Sequence, residues 1–350
     1  MKMLDRHTRD IFSLINENRI PIMGVAALCI LLYHEYQSLF ANQSLILHAQ
    51  EWVRGFGFIG VDIFILLSGM GLPRSREKHT LAEFYFRRIK RIIIPFFVVA
   101  IVVAFVDGWS IIKFAKNVLF INFFSESIWS FLWFVPAIIV LYFLFPAYYK
   151  FFKMSGNKYS FTLIVCALWI LILILGRNVI RPDFYCFLNR IPVFVIGILF
   201  GWISQKKETI IDRTTWILLH VLLVFSLSII TLILFFDLPI PFPFFELSVP
   251  SVIMAVSIVM LLALVFSKLN KNRICRSFIS FLSFYGTISF ELYCVQEFVG
   301  EKTVSFLSDK TGRLVINLSV FAVVTVLAFL LNLLNKKIWT IKDKRKDSTK

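Results

Sequence analysis

The sequence predicts an all-α polytopic membrane protein with about ten transmembrane helices and both termini in the cytoplasm. The chain has 350 residues, of which 59% are hydrophobic and 17% charged, and its mean hydropathy is +0.81. This apolar share exceeds that of a soluble domain. The apolar residues form repeated runs of about 17 to 25, the helical length that spans a hydrocarbon core of roughly 30 Å. The runs lack the alternation of polar and apolar residues that marks a membrane β-barrel.

The expected spans follow one another with short loops between them. They are residues 20–38, 55–72, 92–107, 128–149, 159–176, 188–204, 215–237, 249–268, 279–299 and 314–334. The third is short, and Pro192 and Gly197 interrupt the sixth. The chain is therefore divided into a cytoplasmic N-terminal segment (1–19), a transmembrane domain (20–334) and a basic cytoplasmic tail (335–350).

The distribution of basic residues gives the expected orientation. Of the 37 lysines and arginines, 28 lie in the two terminal segments and the even-numbered loops. Because cytoplasmic loops are enriched in Lys and Arg, both termini are expected in the cytoplasm. The net charge of +16 and the tail "KKIWTIKDKRKDSTK" then indicate contact with anionic membrane lipids, and no nucleic-acid partner is expected.

A few ionisable residues fall inside the expected spans. His34 and Glu35 lie in the first span, Asp62 in the second and Glu291 in the ninth, and Arg190 opens the sixth. Such residues cost about 3 kcal/mol each on insertion scales, so each is a candidate functional residue. The five cysteines have no metal-binding spacing, and no metal site is expected.

His34 and Asp62 are expected at the same depth. A rise of about 1.5 Å per residue places His34 about 21 Å into the first span, and Asp62 about 10 Å below the opposite surface in the second. Neighbouring helices pack with axes about 8 to 10 Å apart, so the two side chains would meet, and Asp62 would orient the imidazole as a general base. Alternatively, His34 is a structural histidine, Asp62 caps or pairs within the bundle, and Glu35 is a solvated helix end.

A second cluster, "EFYFRRIKRIIIPFF" at residues 83–97, lies where the third span leaves the cytoplasm. It contains Arg87, Arg88 and Arg91, and the last two share one side of a helix. Guanidinium groups bind phosphate through two-point contacts. The alternative is a topology signal of the kind that any cytoplasmic loop carries. Pro95 favours a special local geometry, because it frees backbone groups inside a span.

These residues resemble a known family, the membrane-bound acyltransferase 3 family. A histidine ends the first span in "AALCILLYH" (26–34), the second contains "GVDIFILLSGM" (60–70), and paired arginines precede a proline in "RRIKRIIIP" (87–95). Weaker matches are "WFVPAIIVLYFLFP" (133–146), "NRIPVFVIGILFG" (189–201) and "ISFELYCVQ" (288–296). The six segments occur in the family's order and cover nearly the whole chain.

The resemblance implies an acetyl-CoA donor on the cytoplasmic side and a sugar hydroxyl of a surface polysaccharide, or of its lipid-linked precursor, as acceptor. It also implies His34 as catalytic base and Arg88 and Arg91, with Arg87 beside them, as ligands of the donor's phosphates. The chain departs from the family at two positions. The family's arginine eleven positions before the histidine is Met23 here, with Arg19 one turn earlier, and a late histidine is Gln296.

The leading hypothesis is therefore an O-acetyltransferase of the plasma membrane that acts on surface glycans, where polysaccharide-assembly proteins are possible partners. Ser68 and Tyr293 are candidates for polarising the acyl carbonyl, and Trp133 and Glu291 for binding or supporting the substrate. A transporter or flippase of a glycan intermediate or acyl group is the main alternative, with His34, Asp62 and Glu291 as a proton relay. A scaffold subunit of a polysaccharide assembly is a third.

Overall fold

The computed structural model describes residues 10–34, 39, 45–127, 131–176, 178–206, 213–236, 245–269 and 272–347, which form α-helices joined by short connections and contain no strand. The helices of the first half are α1 (Ile11–Glu17), α2 (Arg19–Tyr33), α3 (Leu45–Gly55), α4 (Ile59–Lys78), α5 (Leu81–Val106), α6 (Ile111–Val118), α7 (Ile121–Ser125) and α8 (Phe134–Met154). Those of the second half are α9 (Lys158–Leu175), α10 (Tyr185–Leu188), α11 (Ile191–Ile203), α12 (Arg213–Phe236), α13 (Phe245–Leu269), α14 (Arg273–Thr287), α15 (Ser289–Leu307) and α16 (Arg313–Asp347).

The described helices include eight that are long and apolar enough to cross a membrane, and ten spans result if each of two bent helix pairs counts as one. Each of the ten predicted spans overlaps one of these helices or pairs, so the all-α polytopic fold is confirmed.

Two spans are broken rather than straight. Helices α1 and α2 meet at 68° around Asn18, and α14 and α15 meet at 71° around Ile288. The Asp10 carboxylate caps α1 by accepting from the backbone N–H groups of Phe12 and Ser13. The apolar side chains of α1 are buried against the bundle, so the end of the predicted N-terminal segment packs as part of the core.

Helix α5 begins eleven residues before the predicted third span. Thr80 and Glu83 form a capping box, in which each side chain accepts from the other residue's backbone N–H. The cap defines the start of the helix at Leu81. The helix then continues without interruption through Pro95 to Val106. The arginines of the second cluster therefore lie on a helix, and their spacing of three and four residues places them along one side of it.

Glycines allow the central helices to approach closely. A Cβ atom on Gly24 of α2 or on Gly286 of α14 would collide with the backbone of the other helix, and the same holds for Gly69 of α4 and for Gly197 and Gly201 of α11. Small residues are the usual means by which membrane helices pack, because they let backbones meet. These contacts hold α14 against α2 and α11 against α4, and so support two of the helices that line the site.

Candidate active site

An elongated cavity lies between α2, α4, α5, α8 and α15 and contains about 830 Å³ of empty space, including the part open to the outside. Its lining changes character along its length. One end, the arginine end, is formed by Arg19, Arg87, Arg88 and Arg91. The opposite end, the far end, is formed by Ile30, Val61, Phe134 and Tyr293. Met23, Phe64, Ser68, Ile92, Ile138, Tyr142, Ser289 and Phe290 complete the lining.

The length of the cavity follows from the helices that line it. On α4 the lining runs from Val61 at the far end through Ser68 towards Gly71 at the arginine end, a separation of about 15 Å between the first and last of these. On α8 it runs from Phe134 to Tyr142, about 12 Å. The cavity is thus long enough to hold an extended ligand whose two ends meet different chemistry.

Arg88 is the central side chain of the arginine end. Its Nη2 donates a hydrogen bond to the Gly71 carbonyl oxygen (3.4 Å), and its guanidinium carbon lies 5.7 Å from the ring centres of Phe84 and Tyr142. Its Nε is buried and has no hydrogen-bond partner among the described residues. The Arg88 side chain is therefore fixed by its aromatic neighbours, with its guanidinium in the cavity lining.

Arg19 approaches the same point from α2, with its guanidinium next to Gly71 and close enough to Arg88 and Arg91 for their charges to interact. Arg87 and Arg91 are exposed, so this end of the cavity is open. No carboxylate in the described part of the chain forms an ion pair with any of the four arginines. The Glu83 carboxylate, one turn before Arg87 on α5, interacts with the charge of Arg87. The four arginines still leave this opening strongly positive.

The structure places Arg19 and Met23 on the same wall. Both residues line the cavity, and they lie four positions apart on the same side of α2. An arginine therefore faces the cavity one helical turn before the position of Met23.

The far end contains hydroxyl groups in an otherwise apolar wall. The Tyr293 hydroxyl oxygen accepts a hydrogen bond from the backbone N–H of Phe134 (3.0 Å), the first residue of α8. Ser68 and Ser289 line the cavity between this point and the arginines. The two hydroxyl candidates named from the sequence, Ser68 and Tyr293, thus face a common space. Trp133, another candidate, directly precedes Phe134 of the cavity wall.

His34 lies just beyond the far end. It is the C-cap residue of α2, its backbone N–H bonds to the Ile30 carbonyl oxygen (3.1 Å), and one turn of about 6 Å separates it from Ile30 in the cavity wall. Its ring is partly exposed and packs edge-on against Tyr33 at 5.4 Å. His34 therefore lies between the cavity and the end of the bundle that is farther from the arginines. Glu35, which follows it, lies outside the described residues.

The structure does not bring Asp62 to His34; it pairs Asp62 with Arg190. The Asp62 Oδ1 atom lies 3.6 Å from the Arg190 Nε, and the two side chains are 3% and 11% exposed. Asp62 lies one turn before Leu66 and two turns before Gly69 and Met70, the residues of α4 that contact α11. The face of α4 that meets α2 carries Gly60 instead, and Gly57, just before α4, meets α2 as well. Equal depth in the membrane was therefore not sufficient to bring Asp62 and His34 together. Asp62 lies on the side of α4 that meets α11, and not on the side that meets α2.

Arg190 has further partners that hold it in place. Its Nη1 donates to the carbonyl oxygen of Cys186 and to the Cys186 Sγ (3.3 Å), and its guanidinium carbon lies 5.5 Å from the Trp133 ring centre. Trp133 precedes Phe134 of the cavity wall, and Val61 of the wall precedes Asp62. The buried ion pair thus lies directly behind the far end. Sequence reasoning had noted Arg190 as the start of a span without finding its partner.

Glu291 is buried away from the cavity. Its Oε1 accepts hydrogen bonds from the side-chain amides of Asn332 (3.0 Å) and Asn335 (3.3 Å) on α16, whereas Ser289 and Tyr293 of the same helix face the cavity. The sequence signal for these partners was the pair Asn332 and Asn335, one turn apart in an apolar span. This pair was not identified from the sequence. In the described structure Glu291 joins α15 to α16.

Comparison with known proteins gives one match. The pattern of the family described as "Acyltransferase domain" matches residues 24–334, which include all the lining residues of the cavity except Arg19 and Met23. No curated protein and no solved structure matches the chain. The match extends over most of the chain and agrees with the resemblance found in its motifs. The chain, a multi-pass membrane protein, belongs to the acyltransferase 3 family.

Proposed function

We propose that this membrane acyltransferase moves an acetyl group from cytoplasmic acetyl-CoA to a sugar hydroxyl of a surface polysaccharide or of its lipid-linked precursor in the plasma membrane. The observation that carries the proposal is the arginine end of the cavity, where Arg19, Arg88 and Arg91 have no carboxylate partner among the described residues and Arg87 has only the more distant Glu83. An acyl-CoA is a polyanion with a reactive thioester at the end of a long neutral arm. The cavity matches both parts of this ligand, because arginines form one end of it and mostly apolar side chains form the rest.

Donor binding is assigned to the arginine end. Arg88 and Arg91 would bind the phosphates, with Arg87 and Arg19 adding positive charge at the opening. Guanidinium groups form paired, charge-assisted hydrogen bonds to phosphate oxygens. The contacts of Arg88 with Gly71 and Tyr142 hold its guanidinium in the cavity lining, where it can meet a phosphate group. The positive-inside distribution of charge supports a cytoplasmic position for this end, on the side where acyl-CoA is made.

Acyl transfer is assigned to the far end. The neutral arm of the donor would extend along Phe64, Ser68 and Ile138, and so bring the thioester near Tyr293. His34, one turn beyond, then takes the proton from the acceptor hydroxyl, or carries the acetyl group transiently before passing it on. In direct transfer the hydroxyl oxygen bonds to the acyl carbon, the carbon–sulfur bond breaks, and the CoA thiolate leaves and regains a proton.

Asp62 and the remaining candidates have supporting roles in this proposal. Asp62 neutralises Arg190, which packs on Trp133 and so fixes the wall next to Phe134. Glu291 holds α15, the helix that carries Tyr293. Glu35 would meet the acceptor or solvent beyond His34. Polysaccharide-assembly proteins would supply or receive the glycan.

The test measures acetyl esters on the surface glycan of the native cells by mass spectrometry. Cells carrying His34→Ala at normal expression should lose these esters. His220→Ala is the matched control, because His220 is exposed on α12 and bonds only to the Trp216 carbonyl oxygen within its own helix. Normal acetylation in the His34→Ala cells would reject the proposal.

A second measurement separates an enzyme from a transporter. Purified protein in liposomes is given acetyl-CoA labelled in the acetyl group, and transfer or slow hydrolysis of the label is followed. Release of label that depends on His34 supports the acyltransferase. Movement of a glycan intermediate without any cleavage of acetyl-CoA would favour the transporter or flippase.

A further inference from the structure

The Tyr293 hydroxyl has one of its two hydrogen-bonding roles filled. Its oxygen accepts from the Phe134 N–H at 3.0 Å, and its proton is donated to no atom among the described residues. Phe134 is the first residue of α8, where backbone N–H groups have no acceptor within the helix. The tyrosine therefore satisfies the helix end and keeps its own O–H for a ligand in the cavity that it lines.

The Phe134 contact also makes this O–H a stronger donor. A hydroxyl whose oxygen accepts a hydrogen bond is polarised, and the N-terminus of α8 adds partial positive charge at the same place. Ser68 lies in the middle of α4, and Ser289, although it is the first residue of α15, is almost fully buried. Tyr293 is thus the cavity hydroxyl best prepared to stabilise negative charge.

The distance between Tyr293 and the arginines determines which part of a bound donor Tyr293 would contact. Phe134 lies about 12 Å along α8 from Tyr142, which stacks on Arg88. A donor with its phosphates at the arginine end reaches Tyr293 with its acyl group.

We infer that Tyr293 is a catalytic residue that donates its hydroxyl proton in a hydrogen bond to the acyl carbonyl oxygen of the donor, an inference that rests on the proposed function. As the acceptor oxygen attacks, the carbonyl π electrons move onto this oxygen, and the Tyr293 O–H and the α8 N-terminus stabilise the charge. When the carbonyl re-forms, the carbon–sulfur bond breaks and the thiolate leaves. Tyr293 keeps its proton throughout.

The experiment compares two CoA derivatives of nearly equal shape in binding to the full-length protein in nanodiscs. S-acetonyl-CoA carries a ketone near the thioester carbonyl, and S-isobutyl-CoA has a methyl group in place of the ketone oxygen. Tyr293→Phe should weaken S-acetonyl-CoA about threefold to tenfold and leave S-isobutyl-CoA within about twofold of the wild type. Acetyl transfer should fall about 100-fold, the usual loss for one oxyanion donor.

Tyr285→Phe is the matched control, because Tyr285 also loses a hydroxyl contact, with Thr325 (3.3 Å), at a place outside the cavity lining. It should change neither affinity nor rate. If Tyr293→Phe does not fold, 3-fluorotyrosine at position 293 keeps the ring and acidifies the hydroxyl, and it should tighten S-acetonyl-CoA alone.

The outcomes separate this inference from the proposed function. Wild-type binding of both derivatives, with equal responses of the two to Tyr293→Phe or to 3-fluorotyrosine, would overturn the role of Tyr293 and leave the donor site intact. Binding of neither derivative by the wild type would overturn the donor site and, with it, the role of Tyr293. A selective effect on S-acetonyl-CoA would support both.

Discussion

Arginine side chains occur in two contrasting settings in this bundle. At the arginine end of the cavity, Arg19, Arg87, Arg88 and Arg91 face one opening, and no described carboxylate forms an ion pair with them. Behind the far end, Arg190 is buried with Asp62 at 3.6 Å and makes further contacts with Cys186. The first setting leaves positive charge for a ligand, whereas the second neutralises it within the protein. Charge inside a membrane bundle therefore indicates binding only when its partner is absent from the bundle.

Glu291 belongs with the second setting, although its partners are neutral. Two asparagine amides donate to one carboxylate oxygen. Its other oxygen, Oε2, is buried without a hydrogen-bond partner among the described residues. Asp62, Arg190 and Glu291 were found by the same sequence criterion, and each has a partner within the bundle.

The largest effect is expected from breaking the buried pair. Asp62→Asn leaves the Arg190 charge without a partner, and loss of one member of a buried pair costs about 3 to 5 kcal/mol. The midpoint of thermal or denaturant unfolding in detergent should fall accordingly. Asp62→Asn combined with Arg190→Gln removes both charges and should recover part of the loss. A double variant no more stable than Asp62→Asn alone would show that the ion pair is not the source of the effect.

A smaller effect, on binding alone, is expected at the arginine end. Arg88→Ala should weaken CoA about 10- to 100-fold, because charge-assisted hydrogen bonds contribute about 1.5 to 3 kcal/mol. The unfolding midpoint should change little, because no ion pair within the described structure is broken. Arg74→Ala is the control, since Arg74 is exposed on α4 and does not line the cavity. Equal weakening of CoA by both variants would attribute binding to general surface charge.

The smallest effect concerns the exchange of Arg19 and Met23. Arg19→Met should weaken CoA about tenfold, the low end of the range for a charged contact, because relief of repulsion from Arg88 and Arg91 offsets part of the loss. Adding Met23→Arg to this variant restores a cation one turn along the same face and should recover much of the affinity. CoA titration of the two variants checks this. No recovery would mean that the position of Arg19 matters as well as its charge.

The site was only partly predictable, as three residues illustrate. Arg88 and Arg91 were found from their spacing and composition, because a helix places residues three apart on one side whatever surrounds it. Asp62 was found as an unusual residue, but its partner was not. Depth along a span follows from counting residues, whereas the direction of a side chain depends on how the helix is rotated against each of its neighbours. Here the glycines of α4 and α11 set that rotation.

The sequence by itself determined the class of the protein, the number of spans and the basic cluster, because hydrophobic length and local charge are properties of short segments. It also carried the family resemblance, since the matching segments are local. Only the tertiary structure decided that Asp62 pairs with Arg190, that Asn332 and Asn335 hold Glu291, and that α15 begins at a break that turns Tyr293 towards Phe134. Each of these contacts joins residues far apart in the chain. The packing of whole helices brings them together, and the pattern of any one segment does not contain that information.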